Sequence, residues 1–167
     1  MTLMSASFRP FSVFALAGAV LAMSPHAVHA QSAPQASTKG VLRLKSANGF
    51  DDTVVRLKSD VQAKGIRLFD QIDQSGLGAQ ADLKTGRSTL VIFGNPPLGV
   101  QFLQANPYSG LDWPVRMLVV QEADGSVYVA WTDFAEIAAR YGLMNRDAQL
   151  KMASEVAASI AKAATSQ

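Results

Sequence analysis

Apolar positions change period several times along this chain, and each change marks an element. Phe11 to Met23 is an apolar run that stops at Ser24-Pro25. From Gly40 to Ser46, Leu42 and Leu44 alternate with Arg43 and Lys45, which predicts a first strand. Val54, Leu57 and Val61 then recur at helical spacing, so a helix is expected over Asp52 to Lys64. Asp51 or Asp52 is the expected cap, and Gly65 suits the left-handed position that ends a helix. Ile66 to Ile72 reads as a second strand, and Asp73 to Gly86 as a long glycine-bearing loop with room for a helical turn. Ser88 to Phe93 is β-branched and apolar, a buried strand that ends at Gly94-Asn95-Pro96-Pro97, because proline offers no ladder donor.

The second half continues in the same way. Val100 and Leu103 predict a short helix over Leu98 to Ala105. Val115 to Gln121 and Ser126 to Trp131 flank Asp124-Gly125, a hairpin signal. A two-residue loop there places Val127, Val129 and Trp131 on one face with Leu118 and Val120. Thr132 or Asp133 opens a helix to Arg140, and Asp147 to Ala163 carries a stripe of Leu150, Ala153, Ala157, Ile160 and Ala164. Runs of strands with helices toward the end point to an α+β fold: a two-layer sandwich of a mainly antiparallel sheet with helices on one face.

The N-terminal run is shorter than the roughly 20 apolar residues a membrane span needs. Arg9 precedes it, and Val28-His29-Ala30 follows as a small-x-small cleavage pattern. Residues 1–30 therefore read as a secretory signal cut after Ala30, on the general route because no Arg-Arg pair is present. The expected location is periplasmic or secreted. Gln31 to Lys39, small and polar, is expected to be a flexible lead-in to one α+β domain over 40–167. Cleavage removes Arg9 as the only charged residue, so the net charge of +2 becomes +1. No basic block supports nucleic-acid binding, and no second long apolar stretch suggests membrane insertion after cleavage.

Composition narrows the chemistry. The chain has no cysteine, and its two histidines, His26 and His29, both lie in the signal. Histidine-dependent nucleophilic pairs, Cys/His zinc sites, histidine-ligated haem and thiol redox chemistry are thereby excluded from the mature domain. Acid–base work would fall to carboxylates, lysine or tyrosine. No cofactor or metal is expected; Met117, Met144 and Met152 are dispersed and read as core.

Several segments carry a resemblance. Gly65-Ile66, Asp70-Gln71-Ile72-Asp73, Leu90-Val91-Ile92-Phe93-Gly94-Asn95-Pro96, Gly99, Leu111-Asp112 before Pro114, and Asp124-Gly125 occur in an order that resembles the domain of unknown function 302 family. The resemblance covers Val41 to Leu143 and implies a two-layer fold of β-α-β(4)-α order, often dimeric, with no established activity. Members of that family often carry histidine where this chain has Gln74 and Tyr141. Any histidine-based role in such relatives is not expected here.

The candidate site residues are Asp73, Phe93, Asn95, Tyr108 and Trp113. Asp73 reads as a turn-capping residue or, alternatively, as a polar pocket contact. The turn around Asn95 reads as plain architecture or as a backbone anion nest. Tyr108, Trp113 and Trp131 are core, cavity or interface aromatics. The leading expectation is a non-catalytic exported module, a homodimer, that binds a small ligand or an envelope protein. The alternative is an enzyme with Asp73 as acid or base and Asn95 holding an oxyanion or phosphate, which requires both residues in one pocket.

Overall fold

The computed structural model describes residues 33–143 and 145–167. The expected signal and Met144 lie outside the described residues. The elements run β1 (Gln35–Thr38), β2 (Val41–Lys45), α1 (Phe50–Ala63), β3 (Arg67–Asp73), α2 (Gln74–Gln80), β4 (Ser88–Gly94) and α3 (Pro96–Ala105). A 3-10 turn, Pro107–Leu111, follows, then β5 (Val115–Gln121), β6 (Val127–Thr132), α4 (Phe134–Tyr141) and α5 (Asp147–Thr165). The six strands form one antiparallel sheet in the order β1-β2-β6-β5-β4-β3. The helices pack on one face, so the α+β reading holds.

Alternation decides which face is which. Leu44, Val91, Phe93, Met117, Val119, Val127, Val129 and Trp131 point to the helices and are buried. Leu57 and Val61 of α1 and Ala157, Ile160 and Ala164 of α5 close the core from the other side. Burying a side chain the size of Leu57 or Met117 contributes about 1.5–3 kcal/mol. The small residues of α5 let it lie close to α1, with which it makes its main helix contact. The stripe read from the sequence is therefore the packed stripe.

Several expectations change. The lead-in is not wholly free: Gln35–Thr38 pairs with Val41–Arg43 as an edge strand. It lies at the sheet edge, where exposed Gln35 and Thr38 suit solvent. Gly49, not Asp51 or Asp52, is the N-cap of α1; Asp51 instead bonds Arg87 across from β4. The helix α3 starts two residues earlier than predicted, and its buried residues are Gly99 and Phe102 while Val100 is exposed, because the face with Gly99 packs against Trp113. Met117 is core but Met152 lies on the outer face of α5.

The hairpin differs most. Gln121 pairs with Val127, and Glu122 N–H donates to Ser126 O at 2.9 Å. The loop thus holds three residues, with Gly125 at φ 84° supplying the left-handed position of a bulged turn. One residue of shift turns every side chain over. Val129 faces Val119 and Trp131 faces Met117, whereas Leu118 and Val120 lie on the face that carries no helices.

Candidate functional site

The site forms at the end of β4. Phe93 is the last inward residue of that strand, and its partner in β5 is Val115. Antiparallel pairing thereby brings Gly94-Asn95 beside Trp113-Pro114, whose peptide is cis. Asn95 turns the chain into α3. Its carbonyl accepts from Leu98 N–H at 3.1 Å and from Gly99 N–H at 2.9 Å. Pro96 and Pro97 occupy the first helical positions, where a missing N–H costs nothing. With proline at 96 and 97 and the Leu98 and Gly99 N–H groups spent on the Asn95 carbonyl, this turn has few donors for an anion nest.

Trp113 covers the opening. A Cβ added at Gly99 would lie 1.8 Å from the indole Nε1, and one at Gly94 would lie 3.2 Å from it. Both positions are glycine because the ring rests on their backbone. Phe69, the extra residue of a bulge in β3 between Leu68 and Asp70, meets Trp113 edge-on at 6.3 Å between centroids. Beneath the indole lies a pocket walled by Phe93, Phe102, Phe134 and Ala157, with about 40 Å³ free. A single water needs about 10–15 Å³ on that scale, so the space suits a group of a few heavy atoms. No lining residue is titratable. The Asn95 amide and the Trp113 indole N–H have no hydrogen-bond partner among the described residues, and they are the polar side-chain groups of the lining.

The five candidates separate. Phe93, Asn95 and Trp113 line one pocket. Tyr108 is exposed on the 3-10 turn and does not line it. Asp73 pairs with Thr89, six positions before Asn95 along β4. At about 3.3 Å per residue this places the two roughly 20 Å apart. The carboxylate of Asp73 caps α2, accepting from Gly76 N–H at 2.9 Å and Ser75 Oγ at 2.7 Å. Those bonds favour the charged form and hold its pKa below the usual carboxylate range. Trp131 is core, with a buried indole N–H that has no partner. Gly99, Phe102 and the small α5 residues Ala153 and Ala157 also line the pocket but were not among the candidate site residues read from the sequence. A glycine inside a helical pattern, with no cap to form, was the available signal of close approach. Among the described residues no acidic cluster could hold a metal ion.

Residues 42–166 match the family model described as domain of unknown function DUF302. This chain belongs to that family. A solved DUF302 protein from Bacillus stearothermophilus, itself uncharacterised, has the same fold. It superposes with a TM-score of 0.65 at 18% identity, covering 76% of this chain and 99% of that one. Two curated relatives are the fluoride-specific ion channel FluC 1 of Brucella suis and FluC 2 of Brucella melitensis. Each is 28% identical over 113 residues, which is 67% of this chain. This DUF302 chain spans only 44% and 42% of their respective lengths. Among the described residues of this family member, no helix is long and apolar enough to cross a membrane.

Proposed function

We propose that this DUF302 protein is an exported, non-catalytic module that seats a small, largely apolar ligand under Trp113. The observation that carries the reading is the pocket itself: apolar walls, the Trp113 indole N–H and the exposed Asn95 amide as its polar side-chain groups, and no acid or base within it. Such a lining recognises shape and one hydrogen bond, and it offers no group for proton transfer or nucleophilic attack. The separation of Asp73 from Asn95 weighs against the carboxylate-enzyme alternative. The test is a thermal-shift and tryptophan-emission screen with short branched alcohols and amides. Binding raises the melting temperature and shifts emission from Trp113, and Gly99→Ala abolishes both. A flat screen refutes the reading. Export is tested by sequencing the N-terminus of the periplasmic protein, which begins at Gln31 if residues 1–30 are removed.

The helix-free face of the sheet favours a second element of the proposal. Leu90, Ile92, Leu118, Val120 and Ala130 form an apolar band across β4, β5 and β6. A homodimer that stacks two such faces covers the band. Native mass spectrometry reads this directly: a dimer for the wild type and a monomer for Leu118→Glu. The Brucella relatives support a further proposed setting, in which a domain of this kind serves beside a membrane transport protein. Co-purification of a specific membrane partner from cell envelopes tests it.

A further inference from the structure

Away from the pocket, Asp112 gathers three donors from two elements. Arg116 Nη2 donates to its Oδ1 at 2.6 Å, Arg140 Nη1 to its Oδ2 at 2.6 Å, and the Tyr141 hydroxyl to the same Oδ2 at 2.7 Å. The Asp112 side chain is only 6% exposed, whereas those of Arg116 and Arg140 are 45% and 53% exposed. The carboxylate is saturated and shielded, while both cations face solvent. Each guanidinium carries five N–H donors and spends one on Asp112. Among the described residues, Asp112 is the ion-pair partner of both, and Arg140 also interacts with the neighbouring Tyr141. Two positive charges and one negative leave the cluster at +1. A shallow cleft between the start of β5, the end of β6 and α4 borders it on the Arg116 side, lined by Asp112, Val115, Arg116, Thr132, Phe134 and Ile137.

We infer that Arg116 and Arg140 form a binding site for an anionic oxygen ligand, a carboxylate or phosphate group, with Asp112 and Tyr141 holding the two forks in place. The geometry is suited to the task. The two guanidiniums bond the two oxygens of one carboxylate, so both are held at the same group, each with N–H donors left over. Planar forks match the paired oxygens of carboxylate and phosphate. Asp112 fixes the side chains before the ligand arrives, which lowers the ordering cost of binding. Tyr141 adds its hydroxyl bond to Asp112, and its ring centroid lies 5.9 Å from the Arg140 guanidinium carbon. The ligand brings the negative charge that the cluster lacks.

The experiment titrates the purified protein with inorganic phosphate and, separately, acetate, at ionic strength held constant with sodium chloride. The side-chain Nε–H signals of Arg116 and Arg140 are followed by NMR, with affinity from calorimetry. Saturable shifts of both signals are expected. Tighter phosphate binding assigns the phosphoryl class, and tighter acetate binding assigns the carboxylate class. Arg140→Gln should weaken binding by about tenfold or more. Arg140→Lys, which keeps the charge and loses the fork, provides the comparison if the glutamine variant folds poorly, and it should also bind more weakly. Unmoved arginine signals, shifts that grow linearly without saturation, or equal affinity in the lysine variant would overturn the site. A tighter saturable response to fluoride than to either oxyanion would overturn the ligand class.

Discussion

Gly99→Ala is the sharpest test of the pocket's architecture. In an open helix this change stabilises, since alanine is favoured over glycine by about 1 kcal/mol. Here the new Cβ would sit 1.8, 2.0 and 2.5 Å from three atoms of the Trp113 indole. A rigid ring cannot yield by bending, so it must leave its seat. Overpacking of this kind costs about 1–3 kcal/mol. Losing the edge-on contact with Phe69 removes about 0.5–1.5 kcal/mol more. After the helical gain is set against these, a net loss of about 1–3 kcal/mol is expected. For a domain of this size 1 kcal/mol moves the melting temperature by about 4 °C, so a drop of roughly 4–12 °C follows. Calorimetry measures that drop. Acrylamide quenching of Trp113 should rise, while buried Trp131 stays protected. The decisive arm repeats Gly99→Ala in a Trp113→Ala background, where it should become neutral or stabilising. Stabilisation in the wild-type background, or an equal cost with and without the indole, would refute the reasoning.

Other outcomes follow from the same structure. Val119→Glu places a charge in the core and should prevent folding, whereas Leu118→Glu should leave circular dichroism unchanged; the opposite result would restore the two-residue hairpin. Met117→Ala removes a fully buried side chain from the centre of the sheet and should cost about 2–5 kcal/mol in urea unfolding. Asp51, Asp73 and Asp124 have depressed pKa values, caused first by bonds from Arg87, Gly76 N–H and Ser126 N–H respectively. Their stabilising effect is present above the unfolded carboxylate pKa of about 4 and is lost as pH falls through the folded values. Melts should therefore change little from pH 7 to 5 and weaken below about 4. Tyr141 has a raised pKa, chiefly because its hydroxyl donates to Asp112. The stability it adds is complete below the unfolded phenol pKa of about 10 and is lost as pH rises through the folded value. Tyr141→Phe should remove this alkaline dependence.

The sequence by itself determined the local elements. Apolar spacing in Val54, Leu57 and Val61, and in Ala153, Ala157 and Ile160, identifies two helices and their packed faces, because 3.6-residue periodicity has one solution. The run Ser88 to Phe93 identifies a central strand, and Gly65 a helix end that the structure places at φ 66°. Period alone does not say which strand lies beside which. Only the pairing of β4 with β5 puts Asn95 next to Trp113, and only the pairing of β3 with β4 sends Asp73 to the far end of the same strand. A single bulged residue at Gly125 decided which face of the hairpin meets the helices, and no spacing rule distinguishes loops of two and three residues there. Asp112, Arg116, Arg140 and Tyr141 lie on separate stretches of chain and share one network because α4 returns beside the start of β5. Local propensity is written in neighbours along the chain. The pocket and the arginine pair are written in contacts between distant residues, which burial of a common core sets all at once.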